Sequence, residues 1–539
     1  MKIFQGGKRK LSALCFFTSL LLAGCGPKGA SEGRADLVFI NGAEVTSLDP
    51  VAVSDQVSGR VVTSLFEGLM RFNAQGRAEP GVSTEPEVSA DQLTYTFHLR
   101  PEACWTDGRQ RLRAVTAEDF LNSWRRFLEP ANGADYAGIF FCIKNAEAYN
   151  SQKLEDFHQV GLAAPDERTF VVTLANPTPY FRDLVAFMCF CPVSVRSGPE
   201  ECRFHFKPGT LLSNGPFLLE DWKLNDHLRL KKNPHYWDAA HVALNTVDVL
   251  PISNASTALN LFLTGGADLL LDKGLIPPNL GPRLRQENYF HYKQFLGTWF
   301  LRFNCQRAPF TDPRVRRAFA LVIDKSRIVS AITQYGENPA HSIVPPGTGE
   351  NYQPPEGLGL DVAAARQLMA EAGFPDGKGF PVVSYLFPNP NLESNIAVEL
   401  QSMWEKGLGV KVALPKQEYK VYLGSQKNLD YDICRSSWVG DYNDPNTFLD
   451  MFTTGNGNNR TGWANSAYDA AILAAAAEPD TAKRHAIFRS AEDLLCNQSA
   501  AIAPVYHYVG IQFYHPETVE GVEANLTDEH PLRIIRVKK

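Results

Sequence analysis

The 539-residue chain is poor in the features that announce catalysis or nucleic-acid binding. It has no His-Glu-x-x-His helix, and its twelve histidines are scattered rather than clustered, which argues against a secreted hydrolase. A structural or catalytic metal finds weak support. Cys189-Phe190-Cys191 lacks the usual two-residue spacer, and nearby His205 has no partner at ligand spacing. Basic residues do not dominate, with 53 Lys and Arg against 59 Asp and Glu, so no nucleic-acid partner is expected. Beyond Ala23 no stretch approaches 18 consecutive apolar residues, which excludes a second membrane-spanning helix. Internal repeats and low-complexity linkers are absent as well. A chain too long for one core, yet without linkers, implies two to three domains whose connections cross several times beside a cleft.

What is present begins with the first residues. Lys2, Lys8, Arg9 and Lys10 precede an apolar run from Leu11 to Ala23 that closes on Leu22-Ala23-Gly24-Cys25. A basic start, a short apolar run and small residues before a cut site read as a secretory signal. The ending resembles a bacterial lipobox, so residues 1–24 are expected to be removed and Cys25 lipidated. Residues 25–35 would then form a linker to the membrane, with the protein facing an extracytoplasmic space. Removal of residues 1–24 takes away four basic and no acidic residues, moving the net charge from −6 to −10. Eight cysteines remain beyond the anchor, at 104, 142, 189, 191, 202, 305, 434 and 496, and permit up to four disulfides in an oxidising compartment.

Strand and helix signals are mixed along the chain. Asp36 to Ala43 reads as a short apolar strand. Thr94–Arg100 alternates with Tyr95, Phe97 and Leu99 on one face, and Thr169–Leu174 does so through Phe170, Val172 and Leu174. Thr116 with Asp119 opens a helix whose Phe120, Trp124 and Phe127 are predicted to enter the core. Asp312-Pro313 caps another, facing inward through Val315, Phe319, Val322 and Ile323. A further helix runs from Asp361 to a glycine stop at Gly373. Asn214-Gly215-Pro216 marks a turn before a strand, and Asn233-Pro234 breaks the strand that follows.

The most informative segment is Arg435–Leu449, RSSWVGDYNDPNTFL. It sets Asp441 three residues after Trp438 and before Tyr442, with Arg435 upstream and Asp444-Pro445 as a turn signal. Alone, this is first of all a capped turn with two solvated aspartates. A receptor for a cation with an apolar body is the alternative. The segment resembles the ligand clamp of the oligopeptide-binding proteins of ABC importers, within the wider peptide, nickel and opine-binding group. Further motifs of that family follow in order over nearly all of the mature chain: SLDP at Ser47, LFEGL at Leu65, YTFHLR at Tyr95, WTDG at Trp105, NGPFLL at Asn214, NPHYWD at Asn233, RVRRAFAL at Arg314, AGFP at Ala372 and PVYHYVG at Pro504.

The resemblance implies an α/β (mixed α+β), three-domain periplasmic binding protein-like fold with two ligand-enclosing lobes and an inserted domain. Its parts would be residues 36–66, 195–296 and 509–539 for the first lobe, 67–194 for the insertion and 297–508 for the second lobe. It implies a monomer without cofactor or catalytic residues, delivering oligopeptides to ABC permease subunits. The peptide would lie as an added strand along Ser436 to Val439, including Ser437, Trp438 and Val439, with Gln56 in the opposing segment Asp55–Val57. Asp441 would receive the α-amino group and Arg435 a carboxylate, while Trp438, Tyr419, Tyr136 and Tyr506 would wall the cleft. Two departures stand out. Thr333 and Glu393 fall where the family carries a lysine and a histidine for peptide carboxylates, which makes longer, basic or amidated ligands the expectation. Gly297 and Val439 replace the family's cleft disulfide, for which Cys305 and Cys434 are possible displaced substitutes. Nickel, haem, an opine or a sugar oligomer remains the rival ligand class on this fold.

Overall fold

A computed structural model describes residues 33–194, 207–388 and 391–538. Residues 1–24, expected to be a signal, and Cys25, Cys202 and His205 therefore lie outside the described residues. One mixed sheet of twelve strands organises the chain. Its main path uses β1 (Leu37–Ile40), β2 (Phe217–Lys223), β3 (His227–Lys232), β4 (Thr246–Leu250), β5 (Leu269–Leu270), β6 (Phe290–Phe303), β7 (Val383–Pro388), β8 (Val412–Ala413), β9 (Ile433–Val439) and β10 (Ile502–Phe513). Across the sheet they run β2-β3-β4-β1-β5-β10-β6-β9-β7-β8. β1 is parallel to β4 and β5, and β9 is parallel to β7, while the long central strands β6 and β10 are antiparallel. Their register breaks between Gln294 and Thr298, so each long strand has two differently paired halves.

Local chemistry explains the elements. The apolar run of β1 is buried throughout, as a strand covered on both faces must be. The two alternating segments pair with each other in a separate four-stranded sheet. Phe97 stands opposite Phe170 and Tyr95 opposite Val172, and all four are buried. The helix Ala117–Leu128 begins at Thr116, whose N–H donates to the Asp119 carboxylate at 2.9 Å. Its Phe120, Trp124 and Phe127 are core residues, as their spacing predicts. Asp312 and Asp361 cap the helices Pro313–Leu321 and Val362–Glu371, and Gly373 follows the latter at φ 93°, a conformation open to glycine.

The cysteines require a correction. All seven described thiols are free, including Cys305 and Cys434. Cys434 stands opposite Arg302 and is buried with Leu386, Tyr422 and Tyr431, whereas Cys305, three residues beyond Arg302, packs against a different cluster. The substitute disulfide is therefore not formed in this structure. Gly297 and Val439, by contrast, are direct cross-strand partners on β6 and β9.

Candidate functional site

The site is built on the end of β9 and the turn that follows. On one edge β9 pairs with β6, Gly297 opposite Val439 through Phe303 opposite Ile433. On the other edge β7 reaches only Ile433 and Cys434. The next carbonyl on that edge, that of Arg435, accepts from Gln426 Nε2 at 2.7 Å and from the Tyr422 hydroxyl. Strand alternation then turns the N–H and C=O groups of Ser437 and Val439 toward the same open edge. Among the described residues no protein group bonds to them.

The turn is tied down on every side except one. The Asp441 N–H donates to Thr447 Oγ1 at 3.2 Å, and the Gly349 N–H to Asn443 Oδ1 at 2.9 Å. Asp444 is buried and accepts both guanidinium nitrogens of Arg484 at 2.6 and 2.8 Å. Tyr442 stacks on Tyr180 with ring centroids 3.9 Å apart, and Asn446 donates to both hydroxyls. Within this frame the Asp441 carboxylate is half-buried and, among the described residues, has no protein hydrogen-bond or ion-pair partner. Burial alone pushes its carboxyl up to about 6.

Asp441 stands where two cavities meet. The first, of about 500 Å³, is walled by Tyr136, Tyr180, Trp438, Tyr442, Asp441 and Asp450. Burial, with Asp441 and Asp444 nearby, pushes the Asp450 carboxyl up to about 7. The second, of about 300 Å³, shares Tyr136, Asp441 and Tyr442 and adds Gln56, Val439 and Glu529. Gln56 opens the helix Gln56–Leu65 behind its cap Asp55, so this side presents a helix start rather than a strand edge.

The other predicted positions lie elsewhere. Arg435 donates from Nε to Glu393 at 2.9 Å, from Nη1 to Ser437 Oγ at 2.9 Å and from Nη2 to the Tyr508 hydroxyl at 3.1 Å. Glu393 also accepts from Trp299 Nε1 at 3.3 Å, and both ionic side chains are largely buried. Thr333 donates to Glu337 at 2.8 Å. Tyr506 is wholly core, stacked on Trp299 at 5.5 Å, and Tyr419 is exposed on the helix Tyr419–Lys427. Neither tyrosine lines the two cavities. The Ser437 side chain meets Arg435 and Tyr508, and Ser437 lines neither cavity. Asp450, Glu529, Tyr180 and the Glu393–Arg435 pair carry no local sequence signal, because each is completed by residues distant in the chain.

No group of three or more His, Cys, Asp or Glu is placed to hold a metal among the described residues. A Gly-x-Ser-x-Gly pattern does occur at Gly29–Gly33, of which residues 29–32 lie outside the described residues. A mixed sheet, an open strand edge and, among the described residues, an unpartnered carboxylate between two cavities are the features of a solute-binding protein. The model of the bacterial extracellular solute-binding proteins, family 5 Middle, matches residues 77–460. The oligopeptide-binding protein OppA of Bacillus subtilis is 33% identical over 529 residues, covering 94% of this chain and 95% of that one. The unliganded open form of the murein tripeptide-binding protein MppA superposes with a TM-score of 0.79 at 33% identity, over 94% of this chain and 98% of that one. Haemophilus influenzae OppA in complex with the peptide RPPGFSPFR gives a TM-score of 0.75 at 28% identity, over 94% and 100% of the two chains. The chain belongs to the family 5 extracellular solute-binding proteins.

Proposed function

We propose that the protein captures oligopeptides outside the cytoplasm and delivers them to an ABC importer. The observation that carries this reading is the Asp441 carboxylate, rigidly held and unpartnered beside an open strand edge. A peptide supplies what that arrangement lacks: an ammonium for Asp441 and backbone groups for Ser437 and Val439. OppA of Bacillus subtilis and of Haemophilus influenzae are named for, or solved with, such ligands. The division into lobes of 36–66, 195–296 and 509–539 and of 297–508, with 67–194 inserted, is part of the proposal. It is supported by the register break at Gln294–Thr298, close to the 296/297 boundary. Removal of residues 1–24, a lipid anchor on Cys25 and action as a monomer complete it.

A pH dependence follows from Asp441. Its carboxyl is raised above the ordinary carboxylate value, so the empty folded protein takes up a proton there as pH falls through about 6. The ionised form costs folding free energy above that pH, and the cost fades on acidification. Ammonium binding needs the ionised form. Affinity for a free-amine peptide should therefore peak near pH 7, fall by up to about tenfold per unit well below pH 6, and fall again above about pH 8 as the α-ammonium loses its proton. Calorimetry at pH 8, 6 and 5 reads this directly, and an affinity unchanged at pH 5 would remove Asp441 from the amine.

The far end of the ligand differs in charge. Arg435 is held by Glu393, Ser437 and Tyr508, so its positive charge is already neutralised. A second carboxylate there would crowd Glu393, which favours amidated, basic or longer peptides. Glu393→Gln keeps hydrogen-bonding oxygen for Arg435 and Trp299 while removing the negative charge. It should shift the affinity ratio of free-carboxylate to amidated tripeptides by about tenfold toward the former. A ratio equal to that of the wild type would show that the pair does not meet the ligand.

A further inference from the structure

We infer that the 300 Å³ cavity beside Asp441 is a subsite for a cationic ligand side chain, with Glu529 as its receptor, so that peptides beginning with lysine or arginine are preferred. The inference rests on the peptide reading above and adds a specificity to it. Phe72, Phe187, Met188 and Phe295 give the cavity apolar walls suited to a methylene stem. Four acidic residues line it, Asp55, Asp183, Asp441 and Glu529, against one basic residue, Arg60.

The four acids are not equivalent. Asp55 is consumed as a helix cap, accepting from the Ser58 N–H at 2.7 Å and from the hydroxyls of Ser58 and Thr46 at 2.9 and 2.8 Å. Asp183 accepts the Ala78 N–H and feels Arg182 and Arg77. Asp441 is taken by the ligand amine. Glu529 is held by its backbone, donating its N–H to Asn525 Oδ1 at 3.2 Å and accepting from Asn525 Nδ2 at 2.8 Å. Its carboxylate has no hydrogen-bond or ion-pair partner among the described residues. Arg60 points its nitrogens elsewhere, to Asn41 Oδ1 at 3.3 Å and the Leu271 carbonyl at 3.2 Å, and reaches Glu529 only through its field. Burial pushes the Glu529 carboxyl up to about 7, with Arg60 opposing and Asp528 adding to the rise.

An uncharged side chain entering this cavity would displace water from Glu529 and leave its charge uncompensated or force it to take a proton. A cation on a long apolar stem satisfies the walls and the carboxylate together. The sharing of Asp441 and Tyr136 by both cavities puts this subsite next to the amine, where the first side chain of a peptide departs.

The test uses the intact mature chain and two tetrapeptide amides with free amines, Lys-Ala-Ala-Ala and its norleucine counterpart of matched length. Competition calorimetry at pH 8 should show the lysine peptide bound about tenfold or more tighter, and Glu529→Gln should bring that ratio below about threefold. Equal wild-type affinities would overturn the cation subsite while leaving amine capture standing. A preference abolished by Asp450→Asn but kept by Glu529→Gln would place the cation in the larger cavity and overturn it too. Failure of both peptides to bind would defeat the underlying peptide reading.

Discussion

Asp441→Asn should weaken capture of a free-amine tetrapeptide amide by about 10- to 100-fold, the worth of one charge-assisted hydrogen bond in a partly dry site. The N-acetylated peptide, which has no ammonium to offer, should bind both proteins with similar, weaker affinity. The contrast separates charge recognition from damage to the fold, because the asparagine preserves shape and the Asp441 backbone bond to Thr447. Stability should move the opposite way. The empty wild type carries an uncompensated carboxylate whose ionised form is disfavoured by burial. Its removal should leave the empty variant at least as stable as the wild type at pH 8. A residue retained for folding would show the reverse, a loss of stability with equal losses for both peptides.

Arg484→Met should cost about 3–5 kcal/mol of stability, because it strands Asp444 in the interior. Asp444 lies at 7% side-chain exposure and Arg484 at 3%, and the pair is joined by two short bonds. The guanidinium also donates to the Ala475 carbonyl at 3.2 Å and lies over the Phe488 ring, so its loss is felt in packing as well. Asp444 would keep only the Asn446 N–H at 2.9 Å. Adding Asp444→Asn to Arg484→Met should recover part of the loss by deleting the stranded charge. Denaturant titrations of the two variants measure both effects. An Arg484→Met loss below about 1 kcal/mol would mean that the turn carrying Asp441 is anchored mainly by the Tyr180–Tyr442 stack.

Much of the fold was legible where chemistry is local. Alternation placed Tyr95, Phe97, Phe170 and Val172 on inward faces, and helix caps at Thr116, Asp312 and Asp361 rest on side-chain bonds within three residues. The segment Arg435–Leu449 stood out because motif and turn chemistry coincide there. What was not legible depends on long-range closure. Glu393 and Arg435 are 42 residues apart, and nothing near either announces that the acid occupies the cation. Tyr506 and Tyr419 look alike as aromatics, yet one is buried in the central sheet and the other faces solvent. Glu529 enters the cavity from the chain's last turns, and only the assembled fold sets it beside Asp183 and Asp441.

The proposed binding mode also implies a charge gradient along the ligand. Asp441, Asp450 and Glu529 line the two cavities that would take the amine end, while the mutually neutralised Glu393–Arg435 pair, outside both cavities, would meet the other end. A ligand matched to this field carries its positive charge at or near its first residue.

Peptide capture itself is tested most directly by identifying what the protein holds. The mature chain, incubated with a mixed peptide digest, washed and denatured, should release oligopeptides with free amino termini by mass spectrometry, and Asp441→Asn should release far less. Release of a metal, haem, opine or sugar oligomer in place of peptide would contradict it.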